Sequence, residues 1–379
     1  MIRQIIENTD WDAVINLRHY LHAHPELSGQ EKNTKKVLMD FISSHSGLIP
    51  EDHGDFFTIC FEPSEATERP IAFRADMDAL PMPESIDLPY ASKGNCAHKC
   101  GHDGHSASLA AFATMLEKDP DIKRKVFLVF QHAEETGRGG RVCADYLKEK
   151  NISEIYAFHN LSGYPENSVM VRSDLSQPAS KGLTIAFEGV RSHAGTPENG
   201  RNPAMALASM EMLSQKLLKS HKEEGIYLLT TVGMNTGGSD FGISPGYGTI
   251  SFTLRTGREE DLAGMERALR KKALELSKEY NLKVSFKEDD PFPATINNPE
   301  AAEKVRTACR ELGISLSPMP EPWRPSEDFG YYLKVMKGAI FYVGNGDYPA
   351  PHDPSYDFND RIIKTAPSIF LKLAESRSI

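Results

Sequence analysis

No stretch of this sequence comes near the roughly 20 consecutive apolar residues that a membrane-spanning helix needs. The opening residues, MIRQIIENTDWDAV, hold no apolar signal core and no small-residue cleavage site, so the reading is a cytoplasmic protein with no membrane partner. Positive charge is also in short supply. Against 53 Asp and Glu stand 43 Lys and Arg, a formal net charge of -10, which argues against nucleic acid as a partner. Cysteine is sparse and irregular: Cys60, Cys96, Cys100, Cys143 and Cys309 are odd in number and scattered, so no disulfide framework is implied. In a reducing cytosol most of them should be buried thiols, with Cys60 and Cys309 read as core residues. Repeats and low-complexity tracts are missing. What remains is an ordinary soluble composition, 40% hydrophobic and 25% charged, spread over 379 residues, too many for one core and read as two domains.

The chain alternates strand-like and helical patterns. A first helix is expected from Asp10 as N-cap, with Trp11, Val14, Ile15 and Leu21 on its apolar side and Leu17 at the edge. Ser28-Gly-Gln-Glu31 reads as a capping box that opens a helix toward Phe41. Apolar runs at 70–78, 126–135, 155–160 and 339–346 each end in polar residues, with helical patterns at 105–117 and 299–312. Continuous apolar strands among helices predict a mixed, largely parallel α/β sheet covered on both faces, whose active site lies beyond the carboxyl ends of the strands. Residues 183–287 run strand, helix, strand, strand, helix, strand, the order of a ferredoxin-like α+β unit, with a helix starting at Asn202-Pro203. The expected organisation is an inserted domain at 181–292 and a discontinuous domain formed by 1–180 and 293–379.

The stretch His98-Lys-Cys-Gly-His-Asp-Gly-His105 concentrates a thiol, three imidazoles and a carboxylate. Alone it reads equally as a metal site, a redox site or a polar turn. Three further segments put ligand-type residues at presumed strand ends: Gln131-His-Ala-Glu134-Glu135, Phe158-His159-Asn160 and Pro351-His352-Asp353. Each has a bland reading. A lone histidine at a strand end is usually a hydrogen-bonded polar residue, and a Glu pair in a loop is usually solvated. Their agreement in place, at the mouth of an α/β sheet, favours metal. Of the two glutamates, one could bind metal while its neighbour stays free as a base. His132 competes for the ligand role. His19, His22 and His24 are read as structural or solvated.

The segments LRHYLHAHPELSGQE (17–31), FRADMDALPM (73–82), CGHDGH (100–105), AEETGRGG (133–140), SHAGTP (192–197), EDFGYYL (327–333) and PHDPSYDFND (351–360) together resemble the metal-dependent amidohydrolases of the aminoacylase and carboxypeptidase superfamily. The similarity is to the branch of hippurate hydrolases, N-acyl-amino-acid amidohydrolases and hydrolases of indoleacetic acid–amino acid conjugates. It implies a pair of divalent ions, Zn, Mn, Ni or Co, held by Cys100, His102, Glu135, His159 and His352, with Glu134 as general base. It also implies Asp76 as a residue that orients a ligand, His193 on the inserted domain as a second catalytic group at the scissile carbonyl, and a homodimer formed through that domain. The expected substrate is an N-acyl amino acid or small peptide-like amide, whose carboxylate would be met by Arg255 or Arg201.

The sequence departs from the family at Arg191, where a glycine-rich turn is usual, at Gly242, where an asparagine is usual, and at His132, where a proline is usual. Two rival functions stand beside hydrolysis: a metal-binding homologue that has lost catalysis and works as a binding module, and a thiol redox protein built on Cys96 and Cys100. The retained Glu134 argues against the first, and the four-residue spacing of the thiols argues against the second.

Overall fold

The computed structural model describes residues 1–221 and 225–379. Along the chain the principal elements are α1 (Ile2–Glu7), α2 (Trp11–Ala23), α3 (Lys32–His45), β1 (Pro50–Asp52), β2 (Phe57–Phe61), β3 (Ile71–Asp76), α4 (His102–Leu116), β4 (Val126–Gln131), α5 (Gly139–Lys148), β5 (Glu154–Ser162) and β6 (Val169–Met170). They continue with β7 (Ala179–Glu188), α6 (Ala204–Ser220), β8 (Tyr227–Thr236), β9 (Tyr247–Thr256), α7 (Glu259–Glu279), β10 (Lys283–Phe292), α8 (Pro299–Leu312), β11 (Lys337–Gly346) and α9 (Thr365–Ala374).

The first of two compact units comprises Met1–Ser176, Thr295–Pro322 and Glu327–Ile379. Its sheet has the order β1-β2-β4-β3-β5-β11-β6. The pairs β4/β3, β3/β5 and β5/β11 are parallel, and the outer pairs β1/β2, β2/β4 and β11/β6 are antiparallel. This is the mixed, largely parallel sheet the apolar runs predict. Every residue of β3 and β4 is buried, as expected of strands covered on both faces. Alternate residues feed two cores. Phe73, Leu128, Tyr156 and Phe341 pack with α2, α4 and α9 in one, while Ala72, Val129, Ile155 and Ile340 pack with Cys143, Leu147 and Tyr332 in the other.

Several local expectations shift. Asp10 does cap α2, accepting the Ala13 N–H at 3.0 Å, but the buried stripe runs through Val14, Leu17, Arg18, Leu21 and His22. Leu17 is therefore central rather than marginal, because ion pairs let Arg18 and His22 share its face. The Ser28–Glu31 capping box does not form. The helix begins at Lys32, Ser28 donates to Asp78, and the carboxylate of Glu26 receives the Asn33 and Thr34 N–H groups. Cys60 is exposed, not core: the short β1 pairs only with Phe57, Thr58 and Ile59, so β2 runs on past its neighbour. Cys309 is buried.

The second unit comprises Gln177–Ala294 and Trp323–Ser326. Its antiparallel sheet has the order β8-β9-β7-β10. Burial alternates strictly along β9, which marks a sheet with one covered face. The cover is α6, buried at Ala206, Leu207 and Met210, and α7, buried at Leu262, Met265, Leu269 and Leu276. Asn202 sits one step before the helix cap, and its Oδ1 accepts the Ala204 N–H at 2.9 Å.

Candidate metal centre

The site lies in the first unit, where loops leave β3, β4, β5 and β11. Gly101 holds φ 97° and caps α4, so that His102 is the first helical residue. A Cβ at Gly101 would collide with Asn160 Oδ1 and the Tyr356 hydroxyl. Only glycine accepts both the left-handed backbone and this approach. Nδ1 of His102 lies 3.0 Å from the Asp78 carbonyl and 3.2 Å from its Oδ1. A proton on Nδ1 is thereby used, and Nε2 points its lone pair into the site. That Nε2 is buried with no hydrogen-bond partner, as is Oε1 of Glu135.

The other donors converge on the same place. Cys100 Sγ is 3.4 Å from His159 Nε2, while His159 Nδ1 is 2.7 Å from the Asn160 carbonyl. One ligand atom each from Cys100, His102 and His159 lies within 4.8 Å of the others, and so do those of Cys100, Glu135 and His352 and those of His102, Glu134 and Glu135. Nε2 of His352 is 3.5 Å from Glu135 Oε2. His352 is itself a left-handed non-glycine residue, φ 68°, anchored by its N–H on the Lys99 carbonyl at 2.7 Å.

The electrostatics fit a cation. Burial opposes charge on His102, yet Asp76 and Cys100 push its pKa well above the usual imidazole value. Hydrogen bonding to Cys100 and Glu135 lifts His352 to about 11. The field that favours protons on these rings would equally favour divalent ions. Burial and His105 hold His159 well below its usual range, a neutral ring suited to ligation. Thiolate and imidazole donors with one carboxylate, and two orphaned donor atoms aimed inward, are a fitting set for a pair of divalent metals.

Glu134 differs from its neighbour. Burial, then Glu327, Asp328 and Glu135, hold its carboxyl well above the usual carboxylate range. Its Oε1 accepts the Asp328 N–H at 3.3 Å and its Oε2 is 3.9 Å from His102 Nε2. The loop is locked from beneath. Arg74, buried under it, reaches Asp76 at 2.7 Å, Asp328 at 2.8 Å and Glu327 at 3.0 Å. Asp328 in turn accepts the Gly140 N–H at 2.7 Å, and Glu31 accepts that of Ala133 at 2.8 Å.

Asp76, expected to orient a ligand, hydrogen-bonds Arg74 and His105 and lies 3.9 Å from His102 Nε2. The residue on His102 is Asp78. Also missed were His105, which links Asp76 to Asn160, and the role of Asp103. The latter receives Arg18 Nε at 2.9 Å and His22 Nδ1 at 2.8 Å, which fixes the first turn of α4. Cys96 carries a thiol that burial raises to about 11, unsuited to redox exchange.

His193, Arg201 and Arg255 belong to the second unit. His193 is exposed; its Nδ1 accepts the Gly195 N–H at 3.0 Å, and its strand pairs with Ile243. The departure at Gly242 falls against that segment, where its carbonyl accepts the Ala194 N–H at 2.9 Å. Arg255 gives Nη1 to the Arg324 carbonyl and to Ser326 Oγ, whereas Arg201 is exposed.

A profile of Peptidase family M20/M25/M40 matches residues 72–376. The chain belongs to this family. Among M20 relatives it is 28% identical to the hippurate hydrolase of Campylobacter jejuni over 364 residues, covering 94% of both chains. It is 30% identical to the N-acetyl-L-cysteine deacetylase of Bacillus subtilis over 365 residues, covering 94% of this chain and 86% of the relative. Two solved structures share the fold: a protein of methicillin-resistant Staphylococcus aureus, with TM-score 0.89 at 24% identity over 99% of both chains, and a dinuclear metal binding peptidase of the M20 family from Bacillus subtilis, with TM-score 0.80 at 24% identity over 96% and 97%. The M20 chain described here is a metal-dependent hydrolase of linear amides. No helix among its described residues is long and apolar enough to cross a membrane.

Proposed function

We propose that this M20 enzyme cleaves the amide bond of an N-acyl amino acid or a small peptide-like amide. In this reading Cys100, His102, Glu135, His159 and His352 hold two divalent ions, and Glu134 carries the proton. The observation that supports it best is the contrast within the glutamate pair. Glu135 leaves an orphaned oxygen among the donors, while Glu134 sits among Glu327, Asp328 and Glu135, which favour a proton on it.

Two ions held by these residues would lower the pKa of water and polarise the amide carbonyl. Glu134 takes the proton of the attacking water and gives it to the amide nitrogen as the C–N bond breaks. That transfer is needed because an unprotonated amide nitrogen is a poor leaving group. The Asp328 N–H fixes one oxygen of Glu134, which leaves the other to work. His193 donates to the carbonyl oxygen as negative charge grows on it. Sulfur and imidazole donors suit zinc, nickel or cobalt, and the carboxylate keeps manganese in play.

The names of the relatives support an N-acyl amino acid as substrate, whose free carboxylate needs a cation. Of the two candidates, Arg201 keeps its side chain exposed, and Arg255 has already committed one nitrogen to its own unit. The second unit acts as lid and as the contact of a homodimer. Support for self-association comes from strand β8, at the sheet edge, with Leu228, Val232 and Met234 exposed. A cytoplasmic setting is supported by five unpaired cysteines.

The test is metal analysis combined with turnover of a panel of acylated amino acids, wild type beside Glu134→Gln. The reading requires metal in both and turnover only in the wild type. Metal without turnover in the wild type, across the whole panel, would instead mark a binding module.

A further inference from the structure

Outside the metal centre, the ends of two helices gather three carboxylates. Asp119 and Asp121 follow α4, and Glu375 caps the C-terminus of α9. One carboxylate oxygen from each lies within 4.8 Å of the other two. Helix C-termini already carry partial negative charge, so the backbone adds to the anionic field.

The second observation concerns Asp119 alone. It is 3% exposed. Its Oδ1 accepts the Asp121 N–H at 3.0 Å, but its Oδ2 is buried with no hydrogen-bond partner. A buried carboxylate oxygen left in that state is costly, and more so when two further carboxylates face it. One lysine already meets the cluster: Lys372 Nζ pairs with Glu375 Oε2 and with Glu311 Oε2, both at 2.9 Å. Burial, with Asp119 and Asp121, outweighs Lys372 and holds the Glu375 carboxyl above its usual range.

We propose that Asp119, Asp121 and Glu375 form a second cation site, of oxygen donors only, that takes a calcium ion. Hard oxygen donors without sulfur or imidazole are the chemistry of calcium, and solvent can complete its six to eight ligands at this partly exposed place. The two sites are chemically distinct, since the first offers a thiolate and imidazoles. The calcium ion ties the far end of α4, whose first residue is His102, to the last helix of the chain.

The experiment titrates calcium chloride into zinc-loaded, full-length protein, by calorimetry and by thermal melting. One calcium per chain is expected, with Kd on the order of 10⁻⁴–10⁻³ M, and a Tm rise of about 2 °C at ten times Kd. Asp119→Asn and Glu375→Gln should each weaken binding about 10-fold or more, while amide hydrolysis without calcium stays at the wild-type level. If Asp119→Asn does not fold, Glu375→Gln and Asp121→Asn carry the comparison. No heat and no Tm shift up to about 10 times the upper end of that Kd range would overturn the proposal. So would calcium binding that the variants leave unchanged. A third overturning result is an Asp119→Asn protein that melts higher than wild type, with no calcium response in either, since the carboxylates would then share a proton instead.

Discussion

The backbone N–H of Asp328 donates to Oε1 of Glu134 at 3.3 Å, so the group that aims the proposed base comes from a loop almost two hundred residues further along the chain. The side chain of the same aspartate is gripped by Arg74, Gln131 and Gly140. Glu134 is thus held by a buried framework of protein groups. Glu134→Gln preserves the size and the acceptor oxygen for that N–H, and removes only the ability to carry a proton. Metal content should equal that of the wild type, while kcat falls by about 10²–10⁴-fold. Elemental analysis beside initial rates decides the matter, and a rate near wild type would remove Glu134 from its role.

Asp78 controls which nitrogen of His102 faces the donors. Replacing it with alanine removes the carboxylate contact at 3.2 Å, although the carbonyl contact at 3.0 Å remains. Metal affinity should drop by about 10–100-fold, the usual effect of losing such a partner. Competition with a chelator measures this, with circular dichroism as the check on folding.

Gly101→Ala should be among the most damaging small substitutions in the chain. The backbone there has φ 97° and no room for a methyl group beside Asn160 and Tyr356. A loss of about 2 kcal/mol or more is expected from strain and overlap together, read as a lowered denaturation midpoint. Gly29, at φ 77° with nothing within 4 Å of an added Cβ, is the control that separates backbone strain from collision.

The buried ion cluster beneath α2 sets a pH window. Burial alone would raise Glu84, but hydrogen bonds from His22 and Lys99 bring it down to about 2. Its folded value therefore lies below its unfolded value of about 4.5, so its stabilisation is present above about pH 4.5 and is lost as pH falls toward 2. His22 has the opposite sign: Asp103 and Glu84 outweigh burial and raise it. Its contribution is complete below the unfolded value of about 6.5 and fades as pH climbs through the folded one. Glu84→Gln should flatten the acid limb of urea-unfolding stability below about pH 4.5. An unchanged limb would mean that other carboxylates govern it.

The sequence marked the segments that carry the candidate donors, since thiols, imidazoles and paired carboxylates at strand ends have few common uses; the part each residue takes came with the family resemblance. The sequence was less informative where one residue type can play two parts. RADMD offers two aspartates two positions apart, and only the end of β3 at Asp76 shows that Asp78 has left the sheet and turned toward His102. Ser28-x-x-Glu31 has the spacing of a capping box, yet Asp78 takes the serine and Ala133 takes the glutamate; both competitors are distant in sequence. The Arg18–Asp103 pair spans 85 positions, and no local pattern encodes it. The sheet, by contrast, was legible because burial on both faces leaves continuous apolar runs.

The 3.4 Å contact between Cys100 and His159 has a consequence outside catalysis. Sulfur climbs an oxidation ladder that carboxylates do not have. A cage that includes it is exposed to peroxide and to electrophiles in a way that an all-carboxylate cage is not. The handling of the protein should follow from that atom: reducing buffer and little air, since fresh reductant reverses only the lowest rungs of thiol oxidation.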